Sequence, residues 1–389
     1  MWYSTTESVS AGCRKKRKKE HQKRRKPVMS IYSARMQNVQ ERLKAAGLGI
    51  TVISDPISVG YLTGRRVAHV GERLMALAIP AEGKATLFVN RLFPIEPGET
   101  FEVVYHDDTE VATAGLAGYL PAGEVGIDRF LYAQFLMELM DQRPDIRPRV
   151  GSFAVEQTRM IKDAAEQEAM RKASLLNDEV IAKVPGMLRE GMTELELADL
   201  LLAEYKKVGE AWAPLVGFGA GAAEPHHVNG ETRLKKGELV LVDAGQATDG
   251  YFADMTRTFF FGSVTEEQRK VYEIVREANR RGRAAVRPGV RFCDIDAAAR
   301  DYIASCGYGE YFTHRLGHSI GLGLHEEPSV SAANTQVVEQ GMTFSIEPGI
   351  YLPGKFGVRI EDLVLVTADG CETLNHYPRD LQIIRPTFL

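Results

Sequence analysis

Four carboxylates and one histidine, each set in an apolar β-like run in the second half, constrain this chain more than any other feature. The runs read ELVLVDAG with Asp243, GYFADMTRTFFF with Asp254, THRLGHSIGLGLHEEP with His318, MTFSIEPGIY with Glu347 and GVRIEDLVLV with Glu361. Burying an ionised carboxylate in such a strand costs several kcal/mol unless a cation meets it. No matching set of Lys or Arg accompanies these four, which points to metal. An oxygen-rich set with one imidazole suits Mn²⁺, Co²⁺ or Zn²⁺. One ion rarely needs four carboxylates, whereas a pair bridged by two of them does. Two-metal hydrolysis is therefore the leading expectation.

The spacings suit convergence. Asp243 and Asp254 lie eleven residues apart across Thr248-Asp249-Gly250, as two adjacent antiparallel strands would place them. Glu347 and Glu361, fourteen apart around Pro348-Gly349 and Pro353-Gly354, suit a second, wider hairpin. Gly317, Gly321 and Gly323 around His318 would let backbone approach a ligand closely. A lone buried Asp beside a turn is most often a hydrogen-bonding cap; five such residues together reverse that weighting. His226 in AAEPHHVNG and His325 in GLGLHEEP read either as solvated loop residues or as groups that hold a substrate and steady an oxyanion. His318 and His325 are seven apart, on opposite faces of a regular strand, so their convergence requires a bulge or bend.

Composition narrows the rest. With 389 residues, 44% hydrophobic and 26% charged, the chain suits two globular domains. It has no apolar run long enough to span a membrane. The four cysteines, Cys13, Cys293, Cys306 and Cys371, show no metal or disulfide spacing and read as free thiols of a reducing, cytoplasmic compartment. Residues 14–26, RKKRKKEHQKRRK, form a basic tail that reads as a nucleic-acid tether, a localisation signal or a non-native extension. Lys23-Arg24-Arg25-Lys26 before Met29 is what a purine-rich ribosome-binding site would encode if translated, so Met29 is expected to be the true start. Codons other than AGG at Arg24 and Arg25 would exclude that origin. Ten of the 48 basic and two of the 52 acidic residues fall in 1–28, so the remainder carries a formal −12. A body that acidic argues against nucleic acid as a partner.

From Met29 helix and strand alternate. A helix over 33–47 ending at Gly47, strands at 49–54, MALAIP, ATLFVN, 102–106 and 124–130, and a helix over 131–142 make an α/β domain over 29–155. Periodicity fades at 145–160. Helices over 161–185, 192–208, 265–287 and 293–306 then accompany the carboxylate-bearing strands in an α+β domain over 160–389 with a largely antiparallel sheet. Thr193 and Glu196 form a capping-box pattern.

VDAG, ADMTRTF, GHSIGLGLHEEP, SIEPGIY and VRIED, in that order, resemble the motifs of the pita-bread metallopeptidases: methionine aminopeptidase, aminopeptidase P and prolidase. The first domain, in ITVISDPISVGYLTG, resembles the N-terminal domain of prolidase, aminopeptidase P and creatinase. Methionine aminopeptidases usually lack that domain, and creatinase lacks the metal ligands kept here. The resemblance implies that Asp243 and Asp254 hold one ion and that Asp254, His318, Glu347 and Glu361 complete the second, with Asp254 and Glu361 bridging. It implies attack on the scissile carbonyl by a metal-bridging water or hydroxide, Glu347 as proton shuttle, and His226 and His325 against the substrate carbonyl and the intermediate. Arg359 would brace the ligands or meet substrate, or form an ordinary strand salt bridge. Mn²⁺ is the expected ion, with Co²⁺ or Zn²⁺ as alternatives.

The family's special bond precedes proline, whose nitrogen carries no hydrogen. Some prolidases place an Arg four residues after the second histidine to meet the proline carboxylate; Ser329 stands there in this chain. The short prolidases of Gram-positive bacteria carry HRLGH and a Ser at that place, and similarity to them implies Arg315 as the carboxylate reader. The same resemblance matches His69, Glu72 and Arg73 to a charged loop that reaches the partner subunit's active site, which implies a homodimer. The expected activity is hydrolysis of Xaa-Pro dipeptides, with an Xaa-Pro aminopeptidase as the nearest rival and a non-catalytic binding protein on the same fold as a third.

Overall fold

The computed structural model describes residues 30–65 and 71–385; the basic tail, Met29, Cys13 and His69 lie outside them. The first half is built on a six-stranded mixed sheet ordered Phe101–His106, Ala85–Asn90, Met75–Pro80, Ile50–Ile53, Gly123–Ile127, Ile146–Val150. Apolar side chains cover both faces, with Ile53, Leu77 and Leu87 in one core and Val52, Ala76 and Val125 in the other. Strands buried on two faces read as continuous apolar runs, which is why ITVI and MALAIP are legible. Helix Ile31–Ala45 ends before Gly47, whose φ of +66° supplies the left-handed residue that closes it.

The segment 145–160 corrects the sequence reading. It holds an edge strand, Ile146–Val150, and a helix, Phe153–Met160. Only Ile146 of that strand is buried, so no alternation marks it. Helix Ala164–Ile181 starts at the capping box of Asp163 and Glu166 and stops before Pro185, giving a separate turn, Val184–Met187. Thr193 accepts from the Glu196 N–H and Glu196 returns the bond, opening helix Glu194–Tyr205.

The second half carries two five-stranded, antiparallel-dominated sheets and a two-stranded hairpin, Gly349–Leu352 with Phe356–Arg359. Leu239–Thr248 and Tyr251–Phe261 pair over their whole length; Leu215–Phe218 and Glu210–Ala211 pair with the first of them, and Ile383–Ile384 pairs with the second on the opposite edge. Asp249 and Gly250, with φ of +53° and +87°, make the two-residue hairpin turn that joins the long pair. The other sheet runs Glu326–Val330, Gly317–Ser319, Thr343–Ile346, Asp362–Val366, Cys371–Thr373. Helices Glu266–Ala285 and Phe292–Ser305 pack against it through Val275, Ala278, Ile295, Phe344 and Ile346. Helices Ala164–Ile181 and Glu194–Tyr205 cover the first sheet through Val180, Leu201, Val242 and Met255. The sheets meet where the Glu361 N–H donates to the Thr256 carbonyl, 3.1 Å, and Thr258 Oγ1 donates to the Arg359 carbonyl, 3.0 Å. No helix among the described residues is long and apolar enough to cross a membrane. Cys293, Cys306 and Cys371 are free thiols.

Candidate metal centre

Strand register explains why the carboxylates converge. Asp243 pairs with Thr256 and Asp254 with Gly245, so Asp243 and Asp254 are diagonal neighbours on one face of the first sheet. In the other sheet Ile346 pairs with Asp362, and Gly349 pairs with Arg359 in the hairpin tip beyond. One register runs through both pairings, which sets Glu347 opposite Glu361 as the chain crosses from sheet to tip. His318 and Ser329 pair across the hairpin Gly317–Ser319/Glu326–Val330, and the register shifts between His318 and Ser319. That bulge and the intervening turn bring the His318 and His325 rings to 4.2 Å between centroids, at 80°.

Donor atoms of Asp254, His318 and Glu361 lie within 4.8 Å of one another, all three residues buried. His318 Nε2 is 3.5 Å from Glu347 Oε1 and 3.9 Å from Asp254 Oδ2. Its other nitrogen, Nδ1, is 3.1 Å from the Ser319 carbonyl, which fixes the tautomer and turns the Nε2 lone pair toward the carboxylates. Burial, with His325 and Arg315 nearby, pushes His318 down to about 3, so the imidazole is neutral and ready to ligate. Thr256 Oγ1 donates to Glu361 Oε2, 2.7 Å, and Ser345 Oγ donates to Glu347 Oε1, 3.0 Å.

The electrostatics fit a cation. Burial and then the charges of Glu361, Asp243 and Glu347 raise the Asp254 carboxyl far above its ordinary range. Burial, then Glu347 and Asp243, do the same to Glu361. Glu347 rises to about 7, chiefly through burial, although Arg359 opposes it. Glu361 Oε1 is buried with no hydrogen-bond partner. A polar oxygen left so in a nest of like charges is satisfied by an ion bound there. Asp243 is turned partly aside, its Oδ2 taking Arg359 Nη2 at 2.6 Å.

These residues line a cavity of about 330 Å³ together with His226, His325, Arg315, His314 and Arg359. Trp212, Leu215, Pro225 and Leu324 supply its apolar wall. The Arg315 guanidinium has no hydrogen-bond or ion-pair partner among the described residues. Arg359, buried, also donates to Thr256 Oγ1 at 2.9 Å and to the Tyr351 hydroxyl at 2.9 Å. Ser329 is not among the cavity's lining residues. Arg73 stands in the first half, forked onto Asp108 at 2.9 and 2.8 Å and paired with Glu72, outside the cavity of its own chain.

Sequence reasoning missed His314 and Tyr351. His314 Nδ1 donates to the Arg315 carbonyl, 2.7 Å, so its Nε2 accepts a hydrogen bond from the Tyr351 hydroxyl at 2.8 Å. Burial, then Arg359, lowers His314 to about 4 and keeps it neutral. Tyr351 stands two residues past Pro348-Gly349 in an apolar run, and only the fold shows that it meets His314.

Residues 168–368 match the model of metallopeptidase family M24, and residues 35–161 match the creatinase/prolidase N-terminal domain. The chain belongs to metallopeptidase family M24. The protein named Probable dipeptidase PepE of Mycobacterium bovis is 36% identical over 368 residues, 91% of this chain and 97% of the relative. Dipeptidase PepE from Mycobacterium ulcerans superposes with a TM-score of 0.85 at 35% identity, covering 91% of this chain and 98% of that one. Recombinant prolidase from Thermococcus sibiricus gives 0.84 at 34% identity, with 92% and 100% coverage. The fold is thus a creatinase-type N-terminal domain followed by a pita-bread catalytic domain, and this M24 chain is a metallopeptidase that uses divalent metal.

Proposed function

We propose that this M24 enzyme hydrolyses the Xaa-Pro bond of dipeptides with two divalent ions, Mn²⁺ first, held by Asp243, Asp254, His318, Glu347 and Glu361. The observation that carries the reading is a small cavity with carboxylates gathered on its floor and the unpaired Arg315 guanidinium in its wall. When bound, two ions supply a nucleophile from water at neutral pH and charge that offsets the developing oxyanion. The chain's own groups do the rest. Arg315 takes the carboxylate of the proline residue and limits the substrate to two residues. His226 and His325 hold the carbonyl and the tetrahedral oxygen. Glu347, steadied by Ser345, moves the proton that the leaving proline nitrogen must acquire. Arg359 holds Asp243 in place and carries its hydrogen bonds on to Tyr351 and His314.

The test is hydrolysis of Ala-Pro, Leu-Pro and Ala-Pro-Ala by metal-stripped protein resupplied with Mn²⁺. Cleavage of the two dipeptides alone is the expected result. Cleavage of the tripeptide moves the assignment to aminopeptidase P, and cleavage of none with metal bound overturns the substrate. We propose also that the enzyme works as a homodimer in the cytoplasm, with His69 and Arg73 of one chain reaching the site of the other; light scattering of the purified protein tests the assembly.

A further inference from the structure

The carboxylate that follows His325 has no part in the reaction above, yet it is one of the most firmly held anions in the chain. The Glu326 side chain is 8% exposed. Its Oε1 accepts from Arg159 Nη2 and from the Gly323 N–H at 2.9 Å, and its Oε2 faces Lys162 Nζ at 3.3 Å. Burial alone would raise this carboxyl; Lys162 and Arg159 outweigh it and hold the group below its ordinary range. Arg159 also donates to Asp55 Oδ2 at 3.2 Å and to Ser58 Oγ at 3.0 Å, at the start of helix Pro56–Thr63 in the first half.

The turn before His325 is shaped around this carboxylate. A Cβ at Gly321 would stand 3.0 Å from Glu326 Oε2 and 3.0 Å from Lys162 Cε, and one at Gly323 would stand 3.3 Å from Glu326 Cγ. Gly321 N–H donates to the Gly323 carbonyl, 3.0 Å, and Phe252 N–H donates to the Gly321 carbonyl, 2.8 Å. The His325 imidazole, by contrast, has no hydrogen bond of its own among the described residues. Its place is set by the backbone on which it sits and by the His318 ring.

We propose that Glu326, gripped by Arg159 and Lys162, is a positioning residue that fixes His325 over the metal centre, and that Arg159 makes the Asp55–Ser58 corner of the N-terminal domain part of that grip. The proposal rests on the reading of His325 as a substrate contact. A buried ion cluster that merely tied the domains together would contribute to stability without acting through His325.

A double-mutant cycle on the Mn²⁺-loaded full chain separates the two. With Ala-Pro as substrate, Glu326→Gln is expected to lower kcat about tenfold or more with a smaller change in KM and unchanged bound manganese, since a displacement of about 1 Å can cost that much. In a His325→Ala background the same substitution is expected to cost nothing further; additive losses overturn the proposal. Should Glu326→Gln fail to fold, Arg159→Lys, which keeps the charge and loses the fork, runs the same cycle. Hydrogen exchange gives a readout free of activity. Faster exchange in 320–326 with strand Thr343–Ile346 unchanged supports the grip, and a uniform rise overturns it. If the wild type does not cleave Ala-Pro, the substrate reading fails and the exchange result alone decides this one.

Discussion

Asp362, the residue after Glu361, offers the sharpest energetic test of how the candidate metal centre is supported. Its side chain is fully buried. Oδ1 takes Arg257 Nη2 at 2.8 Å and Arg379 Nη2 at 2.8 Å, and Oδ2 takes Arg379 Nε at 2.7 Å, with Arg283 Nε 3.7 Å away. Burial would raise this carboxyl, but Arg257, Arg379 and Arg283 together hold it below the ordinary range. Arg257, itself 1% exposed, also donates to the Thr256 and Glu361 carbonyls, so it ties the two sheets together at the centre. Asp362→Asn keeps the shape and one acceptor oxygen while leaving Arg257 charged and buried without its counterion. Removing one partner of such a pair costs about 3–5 kcal/mol. The lower end applies, because Arg379 and Arg283 side chains are 22% and 20% exposed and can recover hydration. About 3 kcal/mol corresponds to about 6–12 °C in Tm for a domain of this size. Asp362's contribution is present above the unfolded carboxyl value near about pH 4 and is lost only as pH falls through its lower folded value, so the difference is measured at neutral pH. The assay is urea unfolding and calorimetry of metal-free protein, so that ion binding does not mask the loss. A variant within about 0.5 kcal/mol of wild type, the range of an ordinary surface change, would refute this account of the cluster.

Three further outcomes are expected. A Cβ at Gly317 would come 2.0 Å from the Ser345 carbonyl oxygen, forcing His318 and Ser345 apart; Gly317→Ala should lose about 10²-fold in kcat/KM and bind metal more weakly, and wild-type kinetics would contradict the packing. Arg315→Met should raise KM for Ala-Pro about 10- to 100-fold while barely moving Tm, and should leave hydrolysis of the amide Ala-Pro-NH₂ unaffected; equal losses on both would remove Arg315 as carboxylate reader. Glu166 is lifted to about 7, chiefly by burial against the opposing charge of Arg35. A carboxyl raised in the folded state contributes fully below the unfolded value near about 4.3 and is lost as pH rises toward 7, so Glu166→Gln should flatten the urea midpoint across that window. An unchanged slope would show that another group sets it.

The convergence of the five candidate donors on one cavity is legible because each interrupts an apolar run, a costly placement that demands a partner. The hairpins are legible too: Thr248-Asp249-Gly250 marks a turn, which the Thr248–Tyr251 pairing narrows to Asp249-Gly250, and Pro348-Gly349 with Pro353-Gly354 marks the second hairpin. The seven-residue spacing of His318 and His325 demands a bulge or bend without placing it; the structure puts the register shift at His318/Ser319. What stayed hidden was tertiary. His314 and Tyr351 meet across 37 positions, and the grip of Arg159 and Lys162 on Glu326 joins residues about 165 apart, with no local pattern to betray either. The edge strand Ile146–Val150 leaves no mark in the sequence, because solvent on both faces removes any alternation.

The central claim is that five side chains hold two bridged ions, and counting them tests it most directly. Metal-stripped protein and its Asp254→Asn variant are titrated with Mn²⁺, with bound metal measured by mass spectrometry and exchange coupling by electron paramagnetic resonance. The expected result is two ions per wild-type chain with a coupled spectrum, and in the variant the loss of bound metal together with most activity. One ion per wild-type chain, or a variant that keeps two coupled ions and full activity, would contradict it.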